Sequence, residues 1–183
     1  MLVNKDSFSN GQIASKIWLC QELEKLKWSS NLTWIYGGWY GMTAFLLLSR
    51  ENFLVKRIES YDSDPECEPI ADLIHNNWVH FHPFKFKAYT KNCNALIPNQ
   101  TDLIINTATE HFDSMEWFNN IPFGKRVILQ GNNMVHDGEE VTISTSLDDF
   151  KQRFPLTGYE YTGEIDFNYP TWGFTRYMVI GIK

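Results

Sequence analysis

The segment "DLIINTATEH", Asp102 to His111, ends an apolar run in polar and titratable residues. Asn106, Thr107, Thr109, Glu110 and His111 therefore stand where a buried strand gives way to a loop. A carboxylate beside an imidazole can act as a base and its orienting partner, because imidazole titrates near neutral pH. Glu110 and His111 are the candidate catalytic pair. The plainer alternative is that Glu110 caps the following turn and His111 packs at the surface. A second set of residues is suited to holding a ligand. In "TWIYGGWYG" a short apolar run enters Gly37 and Gly38, and Gly41 follows after Trp39 and Tyr40. Main chain without Cβ allows a tight turn and lets an adenosine-bearing ligand lie close. Asp62, ending the next such run in "IESYD", can accept hydrogen bonds from both hydroxyls of a ribose.

Elements of regular period must position these groups. Ser9 and Gln12 have capping-box spacing, and Ile13, Ile17, Cys20, Leu23 and Leu26 then recur at helical steps, which predicts a helix with one buried face. Lys16, Glu22, Glu24 and Lys25 fall largely off that face. Strands are expected at Leu32 to Tyr36, Val55 to Tyr61, Phe84 to Thr90, Thr101 to Thr107 and Arg126 to Gln130. Helices are expected at Gly41 to Ser49, from Pro65 through Leu73, at Ser114 to Asn119 and at Leu147 to Phe154. Strand and helix thus alternate, which implies a parallel, doubly wound α/β sheet between two helical layers. Two strands, Tyr159 to Phe167 and Phe174 to Ile182, then come in succession. They must form a hairpin, so the last of about seven strands is expected to run antiparallel. Ligands of such sheets bind at the carboxyl ends of the strands, which is where the glycine turn, Asp62 and Glu110 are all expected.

With those residues in place, the chain resembles the class I, Rossmann-like S-adenosylmethionine-dependent methyltransferases. The likeness rests on "WIYGGWYG" as the glycine-rich first motif, "ESYDSDP" as the ribose-binding second motif, "DLIINTATEH" after the fourth strand, and the closing "YEYTGEIDF…FTRYMVIGIK" hairpin. The resemblance implies S-adenosylmethionine as cofactor, with Gly37, Gly38 and Gly41 near its methionine part and Asp62 on its ribose. Asn92 and Asn94 would lie by the adenine, and Tyr40 and Thr107 are assigned to the same cleft. The first motif departs from the G-x-G-x-G spacing of that family. Residues 1–183 read as one domain of this type, with 1–30 a helical extension. Substrate selection falls to the first helix, where Lys16 could meet a carboxylate, to Asn132 and Asn133 after the fifth strand, and to "NYPTWGF". The preferred readings are plainer: Asn132 and Asn133 shape a turn, and Lys16 lies on a solvated helix face. An inactive cofactor-binding or partner-binding subunit of the same fold is the competing reading. A nicotinamide-dependent oxidoreductase is a third, although it does not require the reversed hairpin.

Bulk properties narrow the field. The chain has 183 residues, of which 43% are hydrophobic, and no run is long enough to span a bilayer. A formal net charge of −6 disfavours a surface that grips nucleic acid throughout. No Pro-Cys nucleophile and no Asn-Pro-Pro-aromatic motif is present, so the common nucleobase methylations are not expected. Three widely spaced cysteines without a signal-like start suggest reduced thiols in a cytoplasmic protein. His80 and His82 alternate as a metal pair on a strand would, but no third ligand is evident, and no metal is expected. The expected acceptor is a small molecule.

Overall fold

The computed structural model describes residues 4–50, 55–76, 85–135 and 141–183. His80 and His82 lie outside them. In chain order the elements are α1 (Asn10–Leu26), β1 (Ser30–Tyr36), α2 (Met42–Leu48), β2 (Val55–Asp62), α3 (Cys67–Ile74) and β3 (Phe86–Thr90). Then come β4 (Leu103–Asn106), α4 (Glu116–Asn119), β5 (Arg126–Asn132), α5 (Leu147–Arg153), β6 (Gly158–Asn168) and β7 (Gly173–Ile182).

The strands pair in the order β3-β2-β1-β4-β5-β7-β6. β1 to β5 are parallel, and β7 enters antiparallel between β5 and β6. The parallel sheet and its reversed last strand are therefore both present. One consequence follows from direction alone. β7 begins where β5 ends, so Arg176 is in register with Asn132 at the carboxyl edge of the sheet.

Side chains alternate across the strands, and each face carries its own core. Ile35, Ile58, Ile105, Ile128 and Ile180 pack with Leu19, Leu23, Ala44, Leu47 and Ala71 of α1, α2 and α3. On the other face Tyr36, Ile104, Leu129 and Val179 pack with Trp117, Phe118, Phe150 and Phe154 of α4 and α5. Each large apolar side chain so buried contributes about 1.5–3 kcal/mol. The result is three layers, α/β/α.

The helix α1 departs from its expected face. Its buried residues are Gly11, Ser15, Lys16, Leu19, Cys20, Glu22 and Leu23, while Ile13 and Ile17 stay partly exposed. At the amino-terminal half Gln12 and Lys16 line a cavity, and the Ser15 carbonyl accepts from the buried Gln130 amide at 2.9 Å. Ser9 caps α1 by accepting from the Gln12 N–H at 3.4 Å. The Gln12 carboxamide turns to Lys16 instead of completing the capping box.

Gly41 is the residue before α2 and has φ +78°, a left-handed conformation costly to any residue with a Cβ. A Cβ there would also meet His75 Cε1 at 2.6 Å. Gly41→Ala should therefore destabilise the fold by roughly 1–3 kcal/mol, read as a lowered urea midpoint. An unchanged midpoint would show that the turn does not need glycine.

Candidate active site

A cavity of about 820 Å³ opens at the carboxyl edge of the parallel strands. It is lined by Gly37, Gly38, Trp39, Tyr40, Asp62, Asn92, Asn94, Thr107, Glu110, His111 and Lys16, all singled out in the sequence. Gly41 does not line it. Its left-handed backbone and the approach of His75 call for glycine there. Asn132 and Asn133 do not line it either, for reasons given below.

The turn after β1 is built by hydrogen bonds to β2. Gly37 has φ +60°, the Gly38 N–H donates to the Tyr61 carbonyl at 3.1 Å, and a Cβ on Gly38 would collide with Ser60 Oγ. Trp39 also has positive φ, +47°, which strains a residue with a large side chain. Its N–H donates to Asp62 Oδ2 at 2.9 Å, while Asp62 Oδ1 accepts from the Asp64 N–H at 3.1 Å. Asp62 thus pins the glycine turn, and each of its oxygens retains a further lone pair. Past β3, Asn92 Oδ1 accepts from the Asn94 N–H, and Asn94 Oδ1 accepts from the Trp117 N–H at 3.2 Å.

At the floor, Glu110 is 2% exposed and pairs with Arg176, also 2% exposed, at 3.4 Å. Glu110 Oε1 accepts from Asn132 Nδ2 as well, at 2.5 Å, and the Arg176 guanidinium donates further to the Thr107 carbonyl. Glu110 Oε2 has no hydrogen-bond partner among the described residues. The groups that orient Glu110 are thus Asn132 and Arg176 rather than His111, which sits exposed on the cavity wall. Asn132, expected to hold substrate or to shape a turn, lies outside the residues that line the cavity. Its amide holds Glu110, and its Oδ1 accepts from the Met134 N–H. Asn133 Oδ1 accepts from the Thr175 N–H and the Asn133 N–H returns to the Thr175 carbonyl, so its polar atoms extend the β5–β7 ladder.

Arg176 was not anticipated. The signal was available: it is the one charged residue inside the β7 sequence "GFTRYMVIGI", and the hairpin topology puts its end of the strand at the ligand edge. Trp172, just before β7, also lines the cavity and is half exposed. Its ring stacks on Tyr169 at 4.4 Å.

Lys16, whose sequence setting favours a solvated helix face over the site, is instead buried at the cavity, with its ammonium on the Gln12 side-chain oxygen at 2.5 Å. Desolvation, reinforced by the nearby Arg176 charge, lowers its pKa to about 7, while Glu110 and Asp6 act in the opposite direction. The thiol of Cys93, on the same wall, is pushed up to about 12 by burial and stays protonated. No group of three metal-ligating side chains occurs among the described residues, and no helix there is long and apolar enough to cross a membrane.

No protein-family model and no curated protein sequence matches the chain. Solved structures do. Magnesium protoporphyrin IX methyltransferase from Synechocystis PCC 6803, with SAH bound, superposes with a TM-score of 0.70 over 99% of this chain and 89% of its own, at 11% identity. The N-methyltransferase NodS from Bradyrhizobium japonicum WM9 gives 0.67 over 96% and 99%, at 10% identity. YcgJ from Bacillus subtilis gives 0.66 over 90% and 98%, at 11% identity. The chain therefore has the Rossmann-like fold of class I S-adenosylmethionine-dependent methyltransferases.

The buried lysine makes a pH prediction. Unfolded, Lys16 keeps its proton up to about 10.5; folded, it gives the proton up near 7. The unfolded chain binds more protons between those values, so the stability contributed by this residue rises with pH across that window and is lowest below it. Lys16→Met should thus stabilise most below about pH 7 and progressively less toward about pH 10. Urea melts of both proteins across this range check the sign; a difference that does not change with pH would contradict it.

Proposed function

We propose that this protein is an S-adenosylmethionine-dependent methyltransferase acting on a small-molecule acceptor. The carrying observation is the convergence, in one cavity of about 820 Å³ at the carboxyl edge, of the Gly37 turn, Asp62, Asn92 and Asn94, and Thr107. Such a volume is in the range of small-ligand sites, roughly 300–1,000 Å³. The residues fit the cofactor. Asp62 has lone pairs left for ribose hydroxyls after binding two main-chain N–H groups. Gly37 and Gly38 bring main chain to the cavity without side chains, and the Asn92–Asn94 turn offers polar edges suited to adenine.

When bound, S-adenosylmethionine supplies a methyl group made electrophilic by its sulfonium sulfur. The chain's own part is to hold the acceptor in line and to keep water out. Thr107, Glu110 and His111 stand where the acceptor would enter, and Glu110 carries the oxygen without a partner. The chain has no separate recognition domain among its described elements. The acceptor is selected by the amino-terminal segment, the loop after β4 and the β6–β7 hairpin.

Isothermal calorimetry with S-adenosylmethionine and S-adenosylhomocysteine tests the reading, and absence of heat with either would sink it. Asp62→Ala should weaken both ligands by about tenfold or more, because partners of two hydroxyls are lost and the Trp39 turn is released. Full affinity in that variant would remove Asp62 from the site.

A further inference from the structure

Granted the methyltransferase reading, the same cavity restricts the acceptor's chemistry. We propose that the acceptor is an amine carried on an apolar or aromatic body, whose N–H donates to Glu110 Oε2 while the body lies against Trp172 and Phe8.

Glu110 is the first support. Its side chain is almost wholly buried, it lines the cavity, and Oε2 has no partner while Oε1 takes two. A buried carboxylate oxygen left unpaired forfeits its hydration with nothing in return, so a ligand donor there is favoured. A carboxylate accepts hydrogen bonds and cannot donate them. The complementary group is therefore N–H or O–H, and not a carboxylate or phosphate.

Charge separates the remaining candidates. Asp6, Asp62, Asp64 and Asp113 line the cavity together with Glu110. The lysine and the arginine that line it are turned to internal partners: Lys16 to Gln12, and Arg176 to Glu110 and Thr107. Lys16 adds less than a full charge near neutral pH. The field at the mouth is negative, so it concentrates cations and repels anions. An amine, cationic in solution, is drawn in; a phosphorylated or carboxylated acceptor is disfavoured.

The third support is the apolar wall. Trp172 is 50% exposed and Phe8 45% exposed, and both line the cavity. Trp172 is held by stacking on Tyr169, and its plane lies within 14° of Phe174. A large indole kept in place and left partly open offers dispersion contact to a ring or alkyl body, and attraction to an ammonium.

The test uses the full chain saturated with S-adenosylhomocysteine and two probes of similar size: 2-phenylethylamine and 3-phenylpropionate. Calorimetry should show the amine binding at least about tenfold more tightly. Glu110→Gln should reduce that preference to about threefold or less. Since this buried variant could fail to fold, the exposed rim pair Asp6→Asn with Asp113→Asn provides an independent arm, in which the preference should fall by about twofold or more. Equal binding of the probes, tighter binding of 3-phenylpropionate, or no binding of either at millimolar concentration overturns the proposal. Binding of S-adenosylhomocysteine is measured first and separately. Its absence defeats the methyltransferase reading itself, whereas its presence with an unselective second site defeats only the amine.

Discussion

A carboxylate buried at the end of a parallel sheet has to be neutralised, and much of this molecule's arrangement around the cavity serves that need. Glu110 loses its hydration where the chain leaves β4, and the compensating charge arrives from Arg176, 66 residues later in sequence. An isolated ion of this kind would cost several kcal/mol, and removing either partner leaves the other stranded. Asn132 from β5 supplies a further bond to the same oxygen, and the Thr107 carbonyl takes the guanidinium. Three adjacent strands, β4, β5 and β7, are thereby tied at one edge. The one oxygen this network leaves unused belongs to a residue on the cavity wall.

The opposite side of the cavity is fixed differently. There Asp62 acts on main chain, holding the N–H of Trp39 in a backbone conformation that a tryptophan would not adopt unaided. The two rings between the glycines pack on each other, centroids 5.2 Å apart, and line the cavity beside the bare backbone. Trp39 stays partly exposed at the cavity, while Tyr40 is buried, packs with Cys67 and Ile70, and takes an amino-terminal N–H on its hydroxyl at 3.4 Å. The departure of this motif from the usual glycine spacing is therefore accommodated by a strained residue clamped from β2.

What the sequence disclosed and what it withheld divide along the range of the interactions. The alternation of strands and helices, the reversed hairpin, the glycine turn and Asp62 are written in short windows, and each stands where its window places it. Long-range pairings are not so written. Nothing near Asn132 says that its amide will hold Glu110, and nothing near Lys16 says that the helix turns this residue inward. The period of α1 pointed to Ile13 and Ile17 because periodicity assumes an apolar core beneath the helix, and here Gln12 and Lys16 face a cavity and Ser15 meets the buried Gln130 amide. Gly41 looked like part of a ligand cradle, and the structure shows a constraint on it from His75, just past the end of α3. Arg176 was legible in principle, as a lone charge in an apolar strand whose direction was already inferred.

The placement of β7 has a consequence for biosynthesis. This strand follows every other element in chain order, yet it lies between β5 and β6 rather than at the sheet's border. While the chain emerges from a ribosome, helices and the parallel strands can begin to pack, but the floor of the cavity still lacks its guanidinium. The pocket can reach its finished polarity only after the last strand slides into the gap and Arg176 meets Glu110. Folding intermediates in which β7 has not yet docked thus carry a bare acid at the sheet edge.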